Sequence, residues 1–252
     1  MNPVRVIAII PARYGSQRLP AKPLADICGK PMVQHVYERT AKAKLVNAVF
    51  VATDDERIAT VVQKFGGQAV MTPASLQTGT DRIAYAARSL PSADIIVNVQ
   101  GDEPVIEPTM IDEAVAPLVR DSSIQVGTLV RKIESAAELT NPGIVKVVLD
   151  HEGNGLYFSR SPIPFGRDLQ QNEWLKSHTY YKHFGLYVFR REFLNKFTQM
   201  KQTPLEEAEK LEQLRILENG YKIHCTVTTF DSVTVDTQED LERVRRIVAG
   251  NT

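Results

Sequence analysis

The sequence predicts an α/β fold: a doubly wound, mostly parallel sheet with a small antiparallel insertion in its second half. Three observations predict it. Near-unbroken apolar, mostly β-branched runs at residues 4–10 and 94–99 read as strands buried on both faces of a sheet. Apolar positions at helical spacing follow each of the first three strand candidates, so strand and helix alternate through roughly the first 120 residues. Beyond that point four short strand candidates follow one another, separated by turn signals rather than by helices.

Each element has its own justification. After the strand at 4–10 comes a polar, basic loop from Pro11 to Lys30, and Pro31 then suits the first position of a helix over 31–44, with Val33, Val36, Tyr37, Thr40 and Ala41 on one stripe. Residues 48–52 (AVFVA) form a second strand. Thr53 to Glu56 reads as a capping box for a helix with Ile58, Val61, Val62 and Phe65 as its stripe, ended by Gly66-Gly67. A short strand at 68–71, a helix at 80–90 and the strand at 94–99 complete the first half, and the last runs into Gln100-Gly101-Asp102-Glu103-Pro104. Strand candidates at 124–131, 144–150, 155–160 and 180–189 are divided by Asn141-Pro142-Gly143 and Glu152-Gly153-Asn154-Gly155, while 162–178 reads as a loop. A helix with Leu205, Ala208, Leu211, Leu214 and Leu217 resumes at Pro204 and stops at Gly220. Strands at 222–229 and 233–235 follow, then a last helix capped by Thr237 with Asp240 three residues on. The chain reads as a single domain over 1–252, divided into an alternating half at about 1–122 and a half with the antiparallel insertion at about 123–230.

A chain of 252 residues can bury a sizeable core without a disulfide or metal. Thirty Lys+Arg against 30 Asp+Glu leave no net charge, which argues against a dedicated nucleic-acid binder. The balance is uneven, however: residues 1–45 hold eight basic and two acidic side chains. Two cysteines, Cys28 and Cys225, make no disulfide framework and no zinc spacing. The apolar run at 6–10 is too short for a signal peptide or a membrane span, so the expected compartment is the cytoplasm, with no membrane partner.

In open α/β sheets the ligand sits beyond the C-terminal ends of the strands. The loop after the first strand, residues 11–23 (PARYGSQRLPAKP), is in that place. It carries Arg13, Arg18 and Lys22 within ten residues, plus a Gly15-Ser16 pair whose N–H groups can turn toward an anion. It matches neither G-x-x-x-x-G-K-[ST] nor G-x-G-x-x-G. A solvated basic loop accounts for the spacing equally well, and its position after a strand favours a triphosphate site. Asp102 and Asp236 each follow a strand candidate, so both can point into one crevice; a turn residue for Asp102 and helix capping for Asp236 are the plain alternatives.

The run IIPARYGSQRLPAKPL, with GKPM, VATDD, TGTDR, VNVQGDEP, VKVVLD, LYFSR, HFGLYVFR, LEQLRILENG and VDTQEDLERVR in order, closely resembles the 3-deoxy-manno-octulosonate (Kdo) cytidylyltransferases from about residue 4 to about residue 246. PAR.GS.R.P.K alone is shared with CMP-sialate synthetases; NVQGDEP, LYFSR and LEQLR are more specific. The resemblance implies a nucleotide-diphospho-sugar transferase-like fold, a homodimer, and Mg²⁺-dependent transfer of CMP from CTP to the anomeric hydroxyl of Kdo, an activation step for lipopolysaccharide synthesis. It implies that Arg13, Ser16, Arg18 and Lys22 hold the triphosphate, that Pro11 and Ala12 with Thr80 and Arg82 hold the rest of CTP and read cytosine, and that Asp102 and Asp236 hold the metal. Lys22, Arg13, Asp102 and Asp236 are then the catalytic set. It assigns the sugar to Gln100, Arg160, His183, Tyr187, Glu212 and Gln213, although a packed core and a solvated helix face are the plainer readings of the last four. Position 17 is Gln where Thr is more usual, and position 28 is Cys where Asn is familiar.

In-line attack by a sugar hydroxyl on the α-phosphorus needs positioning and charge stabilisation more than a protein base. Rival readings are the same reaction on 8-amino-Kdo or a sialic acid, a sugar-nucleotide glycosyltransferase, and a non-catalytic nucleotide sensor. The chain lacks the Asp-x-Asp motif that such glycosyltransferases commonly show.

Overall fold

A computed structural model describes residues 4–15, 19–90 and 93–250. In chain order, β1 (Val6–Ala12) leads to a two-strand hairpin, β2 (Asp26–Ile27) and β3 (Lys30–Pro31), then α1 (Met32–Thr40), β4 (Ala48–Thr53), α2 (Glu56–Lys64), β5 (Ala69–Met71), α3 (Gly79–Ser89), β6 (Ile95–Asn98) and α4 (Pro108–Arg120). The second half holds β7 (Val126–Lys132), α5 (Ala136–Thr140), β8 (Lys146–Leu149), β9 (Gly155–Ser159), α6 (Trp174–Ser177), β10 (Tyr181–Arg190), α7 (Arg191–Phe197), α8 (Pro204–Glu209), α9 (Gln213–Glu218), β11 (His224–Val227) and α10 (Gln238–Val248).

The main sheet runs β11-β7-β10-β6-β1-β4-β5, with β8 and β9 attached beside β10. β1 pairs in parallel with β4 and β6, β4 with β5, and β7 with β11. β10 is the exception: it lies antiparallel between β6 and β7. The antiparallel material therefore sits in the centre of the sheet as well as in the β8–β9 flap. Alternate β1 residues feed two cores, Val6, Ala8 and Ile10 facing α1, α2 and α4, and Ile7 and Ile9 facing α3, α7 and α9. That double burial is what the unbroken apolar run anticipated.

Several boundaries differ from expectation for identifiable reasons. β1 continues through Pro11, because Val99 N–H bonds Ile9 C=O, so odd-numbered residues face β6; β6 ends opposite Ile9, and the missing N–H of Pro11 falls past its end. The cap of α2 is Asp55, whose carboxylate accepts from Arg57 N–H, while Thr53 is buried in β4. The expected helix from 204 to 220 is two, α8 and α9, broken at Lys210 with φ 54°. Residues 233–235 are extended chain rather than a strand, with Val235 N–H bonding Asp102 C=O. Within the expected loop 162–178, α6 buries Trp174 against Ile133, Leu139 and Tyr180. Helices α4, α5 and α7 were not anticipated. α10 starts as expected, with Thr237 and Asp240 in a capping box, and packs Leu241 and Val244 on Ile27 and Met32.

Candidate active site

Two cavities meet at the C-terminal ends of β1 and β6. The smaller, about 270 Å³, is lined by Pro11, Ala12, Arg13, Gly15, Lys22 and Gly101. The larger, about 650 Å³, is a crevice between β6, β10, the β8 approach and the start of α9. Gly79, Gln100 and Asp102 line both. The close approach of the two loops depends on Gly101, since a Cβ there would stand 2.6 Å from the carbonyl oxygen of Pro11.

At the junction the Lys22 ammonium donates to Asp102 Oδ2 (2.8 Å), Asp236 Oδ1 (3.1 Å) and the Val235 carbonyl (2.8 Å). Its three protons have three acceptors, so binding a phosphate requires it to exchange one of them. The two expected carboxylates thus converge on one cation although no strand precedes Asp236; the Val235 N–H bond to the Asp102 carbonyl joins their chains. Thr237, not Asp236, caps α10. Two carboxylates and a carbonyl around a single positive centre are hard oxygen donors, which suit magnesium completed by phosphate and water oxygens.

Arg13 is exposed and donates to the Gln77 carbonyl at 3.1 Å. Ser16 and Arg18 lie outside the described residues. Thr80, expected with CTP, lines the crevice and donates to Glu212 Oε2 at 2.7 Å, tying α3 to the entry of α9. Arg82, expected against cytosine, is fully buried and bonded to Asp54 at 2.9 Å and to Thr72, so its guanidinium is not presented to either cavity. It braces α3 against the loop after β4.

All six residues assigned to the sugar line the larger crevice. The break at Lys210 is what delivers two of them, because it turns the chain so that Glu212 and Gln213 open α9 at the crevice wall. Arg160 is held by Nε–H to the Glu209 carbonyl (2.8 Å) and by a second N–H to the Pro142 carbonyl (3.0 Å). Behind it the fully buried Lys146 ammonium donates to the carbonyls of Asn141, Ile144 and Arg160. Gln100 donates its amide to the Gly185 carbonyl at 2.8 Å, leaving its own carbonyl as an acceptor. Burial holds the His183 imidazole neutral, its pKa pushed down to about 3, and keeps the Tyr187 phenol protonated, raised well above its ordinary value.

Sequence reasoning missed Asn98, Glu103, Lys182, Asp231 and Ser232, which also line the crevice. Lys182 donates to Glu138 (2.6 Å) and Asp231 (3.2 Å). Glu103 is pushed up to about 7, chiefly by burial; Ser232 works against the shift, and Asp102 and Asp231 add to it. Asn98 and Glu103 are themselves part of the motif NVQGDEP and could have been read from it. Lys182, Asp231 and Ser232 carry no local signal. Among the described residues, the side-chain atoms Asn98 Oδ1, Tyr187 Oη and Gln213 Nε2 are buried without hydrogen-bond partners, and all three residues line this crevice. Orphaned donors and acceptors in one cavity mark a polar ligand.

Residues 7–223 match the family model described as Cytidylyltransferase. A 3-deoxy-manno-octulosonate cytidylyltransferase of Geobacter metallireducens is 58% identical over 248 residues, covering 96% of each chain. One of Geotalea uraniireducens is also 58% identical over 248 residues, covering 96% of this chain and 98% of that one. Among solved structures, a CMP:2-keto-3-deoxy-manno-octonic acid synthetase complexed with CTP superposes with a TM-score of 0.92 at 43% identity, covering 98% of this chain and all of the other.

Proposed function

The chain belongs to the 3-deoxy-manno-octulosonate cytidylyltransferase family, and from that premise we propose that it transfers CMP from CTP to the anomeric hydroxyl of Kdo, releasing pyrophosphate. The observation that carries this reading is the meeting of two cavities at Asp102, one lined by the basic loop and one by polar side chains suited to a polyhydroxylated acid. A transferase needs two substrates to touch at one charged point.

In this reading Arg13 and Lys22, with Ser16 and Arg18, hold the triphosphate in the smaller cavity. The main chain at Pro11 and Ala12 reads cytosine, with Arg82 bracing α3 from beneath. Arg160 holds the sugar carboxylate, while Glu212, Gln213, Gln100, His183 and Tyr187 bond its hydroxyls. Asp102 and Asp236 would hold magnesium, which when bound supplies charge stabilisation at the phosphate and acidifies the attacking hydroxyl. Lys22, released from one carboxylate, offsets charge developing on the departing pyrophosphate. The substrates divide broadly between the halves, about 1–122 holding the nucleotide and about 123–230 most of the sugar, with Gln100 of the first half reaching across. The enzyme acts as a homodimer, with exposed Phe165 and Leu169 of the second half as candidate contact surface, and works in the cytoplasm, where CTP is made.

The test is to incubate the protein and Mg²⁺ with each of the four nucleoside triphosphates and with Kdo, 8-amino-Kdo or sialic acid in turn. Pyrophosphate release with CTP and Kdo alone is the expected result. Release with no combination overturns the reading.

A further inference from the structure

β10 carries His183 and Tyr187 into the crevice on either side of an irregularity. Opposite it, β7 advances two residues, from Val130 to Thr128, while β10 advances four, from His183 to Tyr187. The bulged residues 184–186 are held from two directions: Gln100 reaches the Gly185 carbonyl, and the Thr128 hydroxyl lies 3.2 Å from the Phe184 carbonyl and 2.8 Å from the Leu186 carbonyl. The same hydroxyl oxygen lies 3.1 Å from His183 Nε2. Thr128 itself is fully buried.

A hydroxyl has one proton, and carbonyl oxygens can only accept. If Thr128 donated to the imidazole, both carbonyls would face a bare oxygen lone pair at close range in a buried site. The proton therefore goes to the β10 carbonyls, chiefly Leu186, and Thr128 Oγ1 accepts from the ring. His183 must then carry its proton on Nε2. Edge contact with Phe158 and a tilted contact with Tyr187 fix the ring plane. Nδ1 has no hydrogen-bond partner among the described residues, and His183 lines the crevice. Burial also keeps the ring neutral, so Nδ1 retains its lone pair across the physiological range.

We propose that Thr128 is a positioning residue: it locks His183 in the Nε2–H tautomer and thereby makes Nδ1 an acceptor aimed at a substrate hydroxyl. The second part rests on the reading of the crevice as the sugar site. Nδ1 joins the side-chain oxygens of Asn98, Gln100 and Glu212 as an acceptor in the crevice, matching a ligand that presents hydroxyl protons.

The experiment is long-range ¹H–¹⁵N correlation NMR on protein labelled at its five histidines, with His183→Gln used to assign the His183 signals. The wild type is expected to show the neutral Nε2–H pattern. Thr128→Val should mix in the Nδ1–H form and raise KM for Kdo about tenfold, with KM for CTP unchanged, as loss of one buried hydrogen bond predicts. Thr128→Ser, which keeps the hydroxyl, should restore both. An Nδ1–H or protonated ring in the wild type overturns the proposal without recourse to any variant, as does a Thr128→Val spectrum that matches wild type. If the tautomer behaves as expected while no Kdo is consumed, the Thr128 assignment stands and the substrate reading fails.

Discussion

The two cavities that meet at Asp102 are built on different principles. On the side proposed for the nucleotide, Arg13 is exposed and holds a single carbonyl among the described residues, and the Lys22 ammonium donates to two carboxylates and the Val235 carbonyl. On the side proposed for the sugar, Arg160 is fixed by two carbonyls and backed by a buried ammonium, and Gln100, Glu212 and His183 each have a bonded partner that sets their orientation. The first side must exchange existing partners to hold a ligand; the second presents side chains already fixed by the fold. The contrast follows from the ligands. A triphosphate is held mainly by charge, which a guanidinium and an ammonium supply, whereas discrimination among sugar hydroxyls requires donors and acceptors fixed in advance.

Changes at the junction should affect both sides and be the most damaging. Asp102→Asn or Asp236→Asn is expected to lower turnover by at least about 10² with the fold intact, measured as pyrophosphate release; near-normal release by both would break the assignment of these carboxylates. On the formed side, Arg160→Lys cannot reproduce two divergent N–H bonds, so KM for the sugar should rise about tenfold while KM for CTP holds. Equal changes in both constants would erase the division between the cavities.

The formed side should also show itself in acid stability. His183 has a folded pKa of about 3, below its unfolded value of about 6.5, so its neutral form is the one the fold favours. Its contribution is fully present above about pH 6.5 and is lost as pH falls toward 3, at up to about 1.4 kcal/mol per pH unit. Denaturant titrations of His183→Gln should show a shallower acid limb than wild type; parallel limbs would count against an imidazole that the fold holds neutral. On the open side, Arg13→Ala should raise KM for CTP only about threefold, since an exposed side chain gives up little on removal.

The smallest expected effect is a gain. Cys28 and Gly29 have φ of 50° and 85°, a two-residue turn joining β2 and β3 that favours Asn-Gly. Cys28→Asn should stabilise the protein by about 0.5 kcal/mol, read as a small rise in Tm, because Asn adopts the left-handed region more readily. The positive φ at this position supplies a physical reason why Asn is the more familiar residue there.

What could be read from sequence was what each segment declares locally. The alternation of the first half was legible because Val6 to Ile10, Ile95 to Val97 and the stripes of α1 to α3 each carry a complete signal. The site was legible where chemistry is concentrated in short runs, as in residues 11–23 and 100–103. The break at Lys210 was not, because Leu205, Ala208, Leu211, Leu214 and Leu217 keep helical spacing across it, although Leu205 and Ala208 are exposed and only Leu211 and Leu214 are buried. α4 was hidden by Pro117 near its end and by the lack of a side-chain cap. The antiparallel placement of β10 in mid-sheet, and the burial of Arg82 rather than its presentation to a base, are set by partners distant in the chain. No local pattern encodes them.

The position of β10 has a consequence for synthesis on the ribosome. β6 pairs with β1 on one side and with β10 on the other, yet β10 begins at Tyr181, long after Asn98 has been made. A nascent chain that has already assembled β1, β4, β5 and β6 therefore carries an uncapped apolar strand edge until the last third of the protein emerges. Such an edge invites pairing with another chain. Truncations ending between β6 and β10 should accordingly aggregate or recruit chaperones, while the full-length chain closes its own sheet by sliding the late strand into the gap.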